Sequence, residues 1–141
     1  MKLVLSSPLG RGLLTSTFSR GDPVGDENDA RAKVMPRFLE ENRDHNVKVV
    51  SQFKSLADKK GITVSQLALA WLLKQGDDLF PIPGTKKLKY LEENWAALDI
   101  HLSDEEEKEI RAFTESNSIH GEHIPTAFAS LTYRDTVEEA S

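Results

Sequence analysis

The sequence predicts an α/β fold in which short parallel strands alternate with helices. Three observations lead to this prediction. Two short apolar runs, Lys2–Leu5 and Leu79–Ile82, are each bounded by turn residues, as strands are. Segments with helical periodicity lie between and after these runs. The 141 residues carry a net charge of −5 and are 38% hydrophobic, which is typical of one globular domain over 1–141.

The first strand is ended by Ser7-Pro8, and a polar stretch follows further along the chain. From about Phe18 to Arg37 the sequence is rich in Gly, Pro, Asp and Asn, which predicts a long surface loop. Connections of this length are uncommon, and they often act as lids or are disordered. The segment is therefore a candidate cover for a binding site.

Two helices are predicted next. Apolar residues recur at every third or fourth position from Val47 to Ala57, and this helix is expected to end at Gly61, after two lysines. Thr63 and Gln66 have the spacing of a capping box that begins another helix. The segment LALAWLLKQ that follows is apolar on nearly all sides, so this helix is expected to be buried, and it ends at Gly76.

The second strand contains Pro81, which weakens the assignment because proline cannot donate a ladder hydrogen bond. A helix is predicted from about Lys87 to Ala97. A second capping box, Ser103–Glu106, begins an acidic helix that runs to about Thr114. Residues 117–141 have few periodic apolar positions and are expected to form an irregular tail.

Two parallel strands are too few for a sheet, because parallel sheets need covering layers on both faces and neighbouring strands. We therefore expect the chain to be an incomplete part of a larger fold. Unpaired strand edges are also expected to favour association or aggregation.

The composition excludes several classes of protein. The sequence has no cysteine, which rules out disulfide scaffolds, thiolate metal sites and cysteine nucleophiles. No apolar run approaches the ~18–20 residues that span a bilayer, and no signal-peptide core is evident, so a cytoplasmic protein without a membrane partner is expected. The acidic balance disfavours a nucleic-acid partner, because such binding depends on phosphate neutralisation.

The strongest candidate site follows the second strand. Gly84 would allow a ligand to approach the backbone, and the next helix would present free amides and the positive end of its dipole. The hydroxyl of Thr85 and the charge of Lys86 add to a phosphate cradle, and Glu93 and Asn94 could hydrogen-bond an adenine. The alternative is a solvated basic first turn after an ordinary glycine turn.

A second, weaker candidate follows the first strand, where glycines and a cation would suit a loop around a phosphate. Its residues are Ser7, Pro8, Leu9, Gly10, Arg11 and Gly12. A plain turn is the alternative.

A metal site is a third and still weaker candidate. His120 and His123 have metal-ligand spacing on a helix, but Gly121 and Pro125 favour a loop there, so no metal is expected.

Five motifs occur in one order: SPLGRG, PRF with a following EEN, QLALAWLL, PIPGTKK with YLEEN, and Leu-Ser-x-x-Glu at a helix start. Together they resemble the C-terminal part of an aldo-keto reductase of the YakC-like bacterial and fungal type, over about Leu5 to Thr136. The resemblance implies part of a (β/α)8 TIM barrel that reduces aldehydes and ketones with NADPH. It makes Lys2–Leu5 the remnant of the seventh strand and Leu79–Ile82 the eighth, whose loops form the usual phosphate site of such barrels.

The resemblance also implies roles for individual residues. Ser7, Pro8, Leu9, Gly10 and Arg11 match the segment along the cofactor's pyrophosphate. Gly84, Thr85 and Lys86 match the segment around the adenosine ribose and its 2′-phosphate, and Glu93 and Asn94 match the adenine contacts. Lys86 would favour NADP(H) over NAD, whereas Tyr90 stands where many members carry an arginine and weakens that preference.

The family's catalytic Tyr, Lys, Asp and His come from earlier strands, and no motif for them occurs in this sequence. Ser6 also departs from the aromatic residue that usually stacks on the nicotinamide. We therefore expect a C-terminal fragment that carries much of the NADP(H) site, acts on a small carbonyl substrate only in the complete enzyme, and is inactive alone. The alternatives are a non-enzymatic nucleotide-binding or interaction module, or half of a split barrel.

Overall fold

The computed structural model describes residues 1–125, 127 and 128. Strands β1 (Leu3–Ser6) and β2 (Leu79–Ile82) form a two-stranded parallel sheet. Both predicted strands and their parallel pairing are confirmed, with β1 shifted by one residue. Pro81 pairs with Leu5 in the register, so it is accommodated within the strand.

Six helices are present in the described part of the chain. In chain order they are α1 (Ser16–Ser19), α2 (Arg31–Val34), α3 (Glu40–Lys60), α4 (Val64–Lys74), α5 (Leu88–Trp95) and α6 (Asp104–Ser116). Three 3-10 turns lie at Gly10–Gly12, Pro36–Phe38 and Ala96–Asp99. None of these helices is long and apolar enough to span a membrane.

The predicted helix signals are confirmed. The capping boxes at Thr63–Gln66 and Ser103–Glu106 have both of their reciprocal hydrogen bonds. Helix α3 ends at Gly61, which adopts a left-handed conformation with φ of 72°. Helix α4 is buried as expected, with Leu67 and Leu69 each 2% exposed.

The interpretation of 18–37 as one irregular loop needs a correction at both ends. Helix α1 overlaps its beginning, and α2 lies within it just before the Pro36–Phe38 turn. Phe18 and Phe38 are buried and pack edge to face, with ring centroids 5.5 Å apart, so tertiary packing orders segments that composition alone marks as loop. The stretch between α1 and α2 has neither helix nor strand.

The core lies where α3 and α4 meet, and α4 packs against β2. Its buried members include Phe18, Val50, Phe53, Leu67 and Ile110.

The opposite face of the sheet is open. Val4, Phe80 and Ile82 are large apolar residues on this face and are 67%, 43% and 56% exposed. Helix α5 likewise exposes Leu88 and Trp95, by 69% and 70%. These apolar surfaces agree with a sheet that lacks neighbours among the described residues.

Residues 117–125 contain neither helix nor strand, yet they are packed against α3. Ile124 is 6% exposed. The imidazole of His120 stacks on that of His45 with ring centroids 3.6 Å apart. The rest of the predicted tail, 129–141, and residue 126 lie outside the described residues.

Candidate functional site

The site lies at the carboxyl ends of β1 and β2. Because the strands are parallel and Ser6 pairs with Ile82, the segments that follow them leave the sheet at the same edge. We name these segments the first loop (Ser7–Gly12) and the second loop (Pro83–Lys87). Ligands of parallel α/β proteins bind at this edge. The two stretches predicted from sequence are therefore brought together at one end of the sheet.

The first loop is built from unusual backbone conformations. Ser7 and Arg11 have φ values of 52° and 60°, a region that non-glycine residues rarely adopt, and Gly10 and Gly12 have φ values of 58° and 99°. The Gly10 N–H donates to the Ser7 carbonyl at 2.9 Å and tightens the turn. Strain of this kind is concentrated at functional sites, where surrounding contacts maintain it.

One such contact comes from Arg31. Its guanidinium donates to the Arg11 carbonyl at 2.6 Å and to the Asp29 carboxylate at 2.6 Å. The hydrogen bonds from Arg31 lower the pKa of Asp29 to about 2, and the charge of Lys86 contributes a smaller attraction. Arg31 thus joins the segment before α2 to the first loop through its hydrogen bond to Arg11.

The second loop is open and basic. A Cβ placed on Gly84 would meet no atom within 4 Å, so the backbone is accessible to a ligand. The Thr85 hydroxyl accepts a hydrogen bond from the Lys87 N–H at 3.2 Å, which shapes the entry into α5. Lys86 and Tyr90 are exposed, and the Lys87 ammonium lies 5.8 Å from the Tyr90 ring centroid. This arrangement fits an anionic group such as a phosphate.

Glu93 and Asn94 lie further along α5 and are half-buried. The Glu93 carboxylate accepts a hydrogen bond from the Thr63 hydroxyl at 2.8 Å, and its carbonyl accepts one from the Gln66 side chain at 3.2 Å. Sequence reasoning missed this link between α5 and the α4 capping box. The adenine contacts of these two residues stay predictions.

A cleft of about 490 Å³ lies beside the first loop, within the size range of small-molecule sites. Its lining includes Ser6, Gly10 and Arg11 from the end of β1 and the first loop, and Arg37, Phe38 and Ile124 from later segments. Sequence reasoning did not assign Arg37 to a site, although the motif PRF that contains it was one of the signals of the resemblance.

The His120–His123 run is not arranged as a metal site in the described structure. His120 stacks on His45, and the Nε2 atom of His45 lies 2.9 Å from the Ser118 carbonyl oxygen. Among the described residues, no group of three or more His, Cys, Asp or Glu side chains could hold a metal ion.

The fold and the site define an α/β protein in which two glycine-containing loops, each with at least one basic residue, lie at the carboxyl ends of two parallel strands. The chain belongs to the aldo/keto reductase family, whose family model matches residues 1–115. The resemblance inferred from the motifs is thereby confirmed.

Two curated relatives are similar to most of the chain. It is 44% identical over 134 residues to "Aldo-keto reductase yakc [NADP(+)]" of Schizosaccharomyces pombe, covering 95% of this chain and 39% of that protein. It is 42% identical over 120 residues to "Aldo-keto reductase str7" of Strobilurus tenacellus, covering 85% and 35%. The chain therefore spans well under half the length of these relatives. The expectation of NADP(H) agrees with the cofactor in the name of the first relative.

Two solved structures that are similar to this chain agree with the family assignment. The glycerol dehydrogenase AKR11B4 from Gluconobacter oxydans aligns with a TM-score of 0.68 and 26% identity, over 84% of this chain and 36% of that one. The thermostable aldo-keto reductase Tm1743 aligns with a TM-score of 0.51 and 26% identity, over 80% and 30%. The fold class is that of these TIM-barrel neighbours, and the described chain contains an unclosed sheet.

Proposed function

We propose that this chain is the C-terminal portion of an NADPH-dependent aldo-keto reductase, with β1 and β2 as the seventh and eighth strands of its barrel. The observation that supports this most is that the first and second loops leave adjacent parallel strands at one edge. The loops after strands seven and eight form the phosphate site of many such barrels.

In this proposal the cofactor is NADP(H), which supplies a hydride for the reduction of an aldehyde or ketone. The first loop, through Ser7, Pro8, Leu9, Gly10 and Arg11, holds the pyrophosphate. Gly84, Thr85 and Lys86 hold the ribose and its 2′-phosphate. Tyr90, Glu93 and Asn94 surround the adenine.

The segment before α2 is proposed to help cover the bound cofactor. Arg31 joins this segment to the first loop by a hydrogen bond to the Arg11 carbonyl, and the charge of Lys86 attracts Asp29 from the second loop. Saturating NADPH should slow proteolysis within 20–30 in the complete enzyme. Cleavage at an unchanged rate would argue against a covering role.

The cofactor assignment is tested by binding 2′,5′-ADP and 5′-ADP to the chain in a calorimeter. We expect the 2′-phosphate to strengthen binding, and Lys86→Gln to reduce that preference by about tenfold through loss of one charge-assisted contact. Lys108→Gln, an exposed lysine on α6, is the matched control and should keep the preference. Equal affinity for both nucleotides in the unsubstituted chain would contradict the proposal.

The chain alone is proposed to be inactive, because no motif for the family's catalytic tetrad occurs in its sequence. NADPH oxidation by the isolated chain with common aldehydes, at an enzymatic rate, would overturn this. The complete enzyme would act on a small carbonyl compound in the cytoplasm, without nucleic acid or membrane partners.

A second candidate function is that of a nucleotide-binding or interaction module, or half of a split barrel. The exposed Val4, Phe80 and Ile82 on the open sheet face favour an association that covers them. Co-purification of a stable partner that supplies the remaining strands would support this candidate. A lone, aggregating chain would favour a fragment.

A further inference from the structure

The cleft beside the first loop contains a partly desolvated guanidinium. Arg37 lines the cleft and is half-buried, and this burial lowers its pKa while the nearby Glu122 opposes the shift. A guanidinium stays protonated in proteins even so. The cleft therefore holds a positive charge that water solvates only in part.

Arg37 is held in place by its main chain and its side chain. Its Nε donates to the Gly121 carbonyl at 3.2 Å, and its own carbonyl accepts a hydrogen bond from the Asn46 side chain at 2.9 Å. Asn46 is 0% exposed, and it also hydrogen-bonds the backbone N–H and carbonyl of His120. The charge is thus positioned before any ligand arrives, which reduces the entropy lost on binding.

The charge of Arg37 is not paired within the described part of the chain. None of the ion pairs formed there includes Arg37, and its side chain makes one hydrogen bond, through Nε. No acidic side chain is among the described residues that line the cleft. A guanidinium has five N–H donors in a fork that matches a carboxylate, so donors are left for a ligand.

Four apolar side chains also line the cleft, beside the polar Ser6, Ser7 and Arg11. Met35 and Phe38 lie within two residues of Arg37 in sequence, Val4 belongs to the open sheet face, and Ile124 belongs to the C-terminal segment. A ligand with an oxyanion and an apolar body would pair with the Arg37 guanidinium and also contact these apolar side chains. A pyrophosphate would pair with the guanidinium but has no apolar part to contact them.

We propose that this cleft binds the carboxylate and apolar body of a carbonyl-containing acid, with Arg37 as a specificity-determining residue. The inference rests on the proposed function, because it names the substrate class of that reductase. A carboxylate of the substrate and a phosphate of the cofactor share the same oxyanion chemistry, so the test must separate them.

The test compares 3-phenylpropanoate with 3-phenylpropanamide, which has nearly the same shape but no charge. Calorimetric titration of the chain should show the carboxylate binding about tenfold or more tightly than the amide. Arg37→Gln should abolish this preference and leave the affinity for the amide unchanged, whereas Arg37→Lys should keep part of it. Arg20→Gln is the control, because Arg20 is an exposed residue paired with Asp22 outside the cleft.

Three results would overturn the inference. The first is equal affinity of the unsubstituted chain for the acid and the amide. The second is an unchanged preference in folded Arg37→Gln or, if that variant does not fold, an undiminished preference in Arg37→Lys. The third is loss of both ligands in folded Arg37→Gln, which indicates a structural role.

Titration with inorganic pyrophosphate distinguishes a substrate carboxylate from a cofactor phosphate as the ligand of Arg37. If it displaces 3-phenylpropanoate and itself binds about tenfold more weakly to Arg37→Gln, the guanidinium serves the cofactor and the substrate assignment fails. Failure of the chain to bind 2′,5′-ADP would instead count against the proposed function, while carboxylate binding remains measurable on its own.

Discussion

Asp29 illustrates how much of the site depends on single side chains. Its carboxylate is hydrogen-bonded by Arg31, which also reaches the Arg11 carbonyl in the first loop. The sequence placed Asp29 in a polar loop and offered no sign of this connection, because its partners lie in segments that only the fold brings together. By contrast, Gly84, Thr85 and Lys86 could be predicted as candidate site residues from the sequence, because they form a glycine turn between a strand and a helix.

Asp29→Asn should destabilise the chain near neutral pH by removing the ionic contact with Arg31. The pKa of Asp29 is about 2 in the folded state, below its ordinary value of 3.8, so its contribution is present above pH 3.8 and is lost as the pH falls towards 2. Urea unfolding from pH 6 to pH 2.5 should show the gap between the two proteins narrowing. A gap that is constant or widens on acidification would contradict this account.

Asn46→Ala should be strongly destabilising. Asn46 is fully buried and hydrogen-bonds the Arg37 carbonyl and both backbone polar groups of His120, which would be left unsatisfied. We expect a loss of about 2–4 kcal/mol in the free energy of unfolding, measured by urea denaturation. Asn28→Ala, at an exposed position, should change it by less than about 0.5 kcal/mol. Equal effects of the two substitutions would disprove the role assigned to Asn46.

At the scale of elements, local signals determined what could be predicted. The capping boxes of α4 and α6 lie within four residues each, and Gly61 marks the end of α3 by its own backbone preference. The start of α3 carries no such signal, since Leu39 makes no side-chain capping bond. The single turns α1 and α2 were not predicted: α1 is capped locally by the Thr15 hydroxyl, which accepts from the Phe18 N–H, and α2 has no side-chain cap.

Two glycine substitutions separate backbone strain from crowding. Gly61 and Gly121 have similar φ values of 72° and 84°, but a Cβ would meet nothing within 4 Å at Gly61 and would lie 2.7 Å from the Pro36 carbonyl carbon at Gly121. Gly61→Ala should therefore cost about 1 kcal/mol. Gly121→Ala should cost clearly more in the same urea titration, and a smaller loss than that of Gly61→Ala would refute the close packing of this segment.

At the scale of the whole molecule, the sheet has one covered face and one face left open by the residues that the structure describes. The α/β fold class followed from the sequence, because alternation of strands and helices implies parallel strands, and the family resemblance implied that the two loops are neighbours. The cleft did not, since Arg37 and Gly121 are 84 positions apart and meet through packing on α3. The exposure of the apolar face of α5 could not be predicted from the sequence either, because periodicity identifies an apolar face but does not show which element covers it.

The exposed apolar surfaces should make the chain associate. Sedimentation velocity should show species larger than a monomer at micromolar concentration, since apolar area leaves water on contact. Replacing Leu88 and Trp95, which are 69% and 70% exposed, by glutamine should lower the associated fraction, whereas Glu115→Gln on α6 should not. A monodisperse monomer with a sharp, cooperative thermal transition would contradict this expectation.

The central claim is that the first and second loops together form the site for the adenosine and pyrophosphate parts of NADP(H). The most direct measurement is the change in backbone amide NMR shifts of the isotopically labelled chain on titration with NADPH. We predict saturable changes concentrated at residues 7–12 and 84–94. The absence of saturable changes, or changes centred on the exposed face of α5, would contradict the claim.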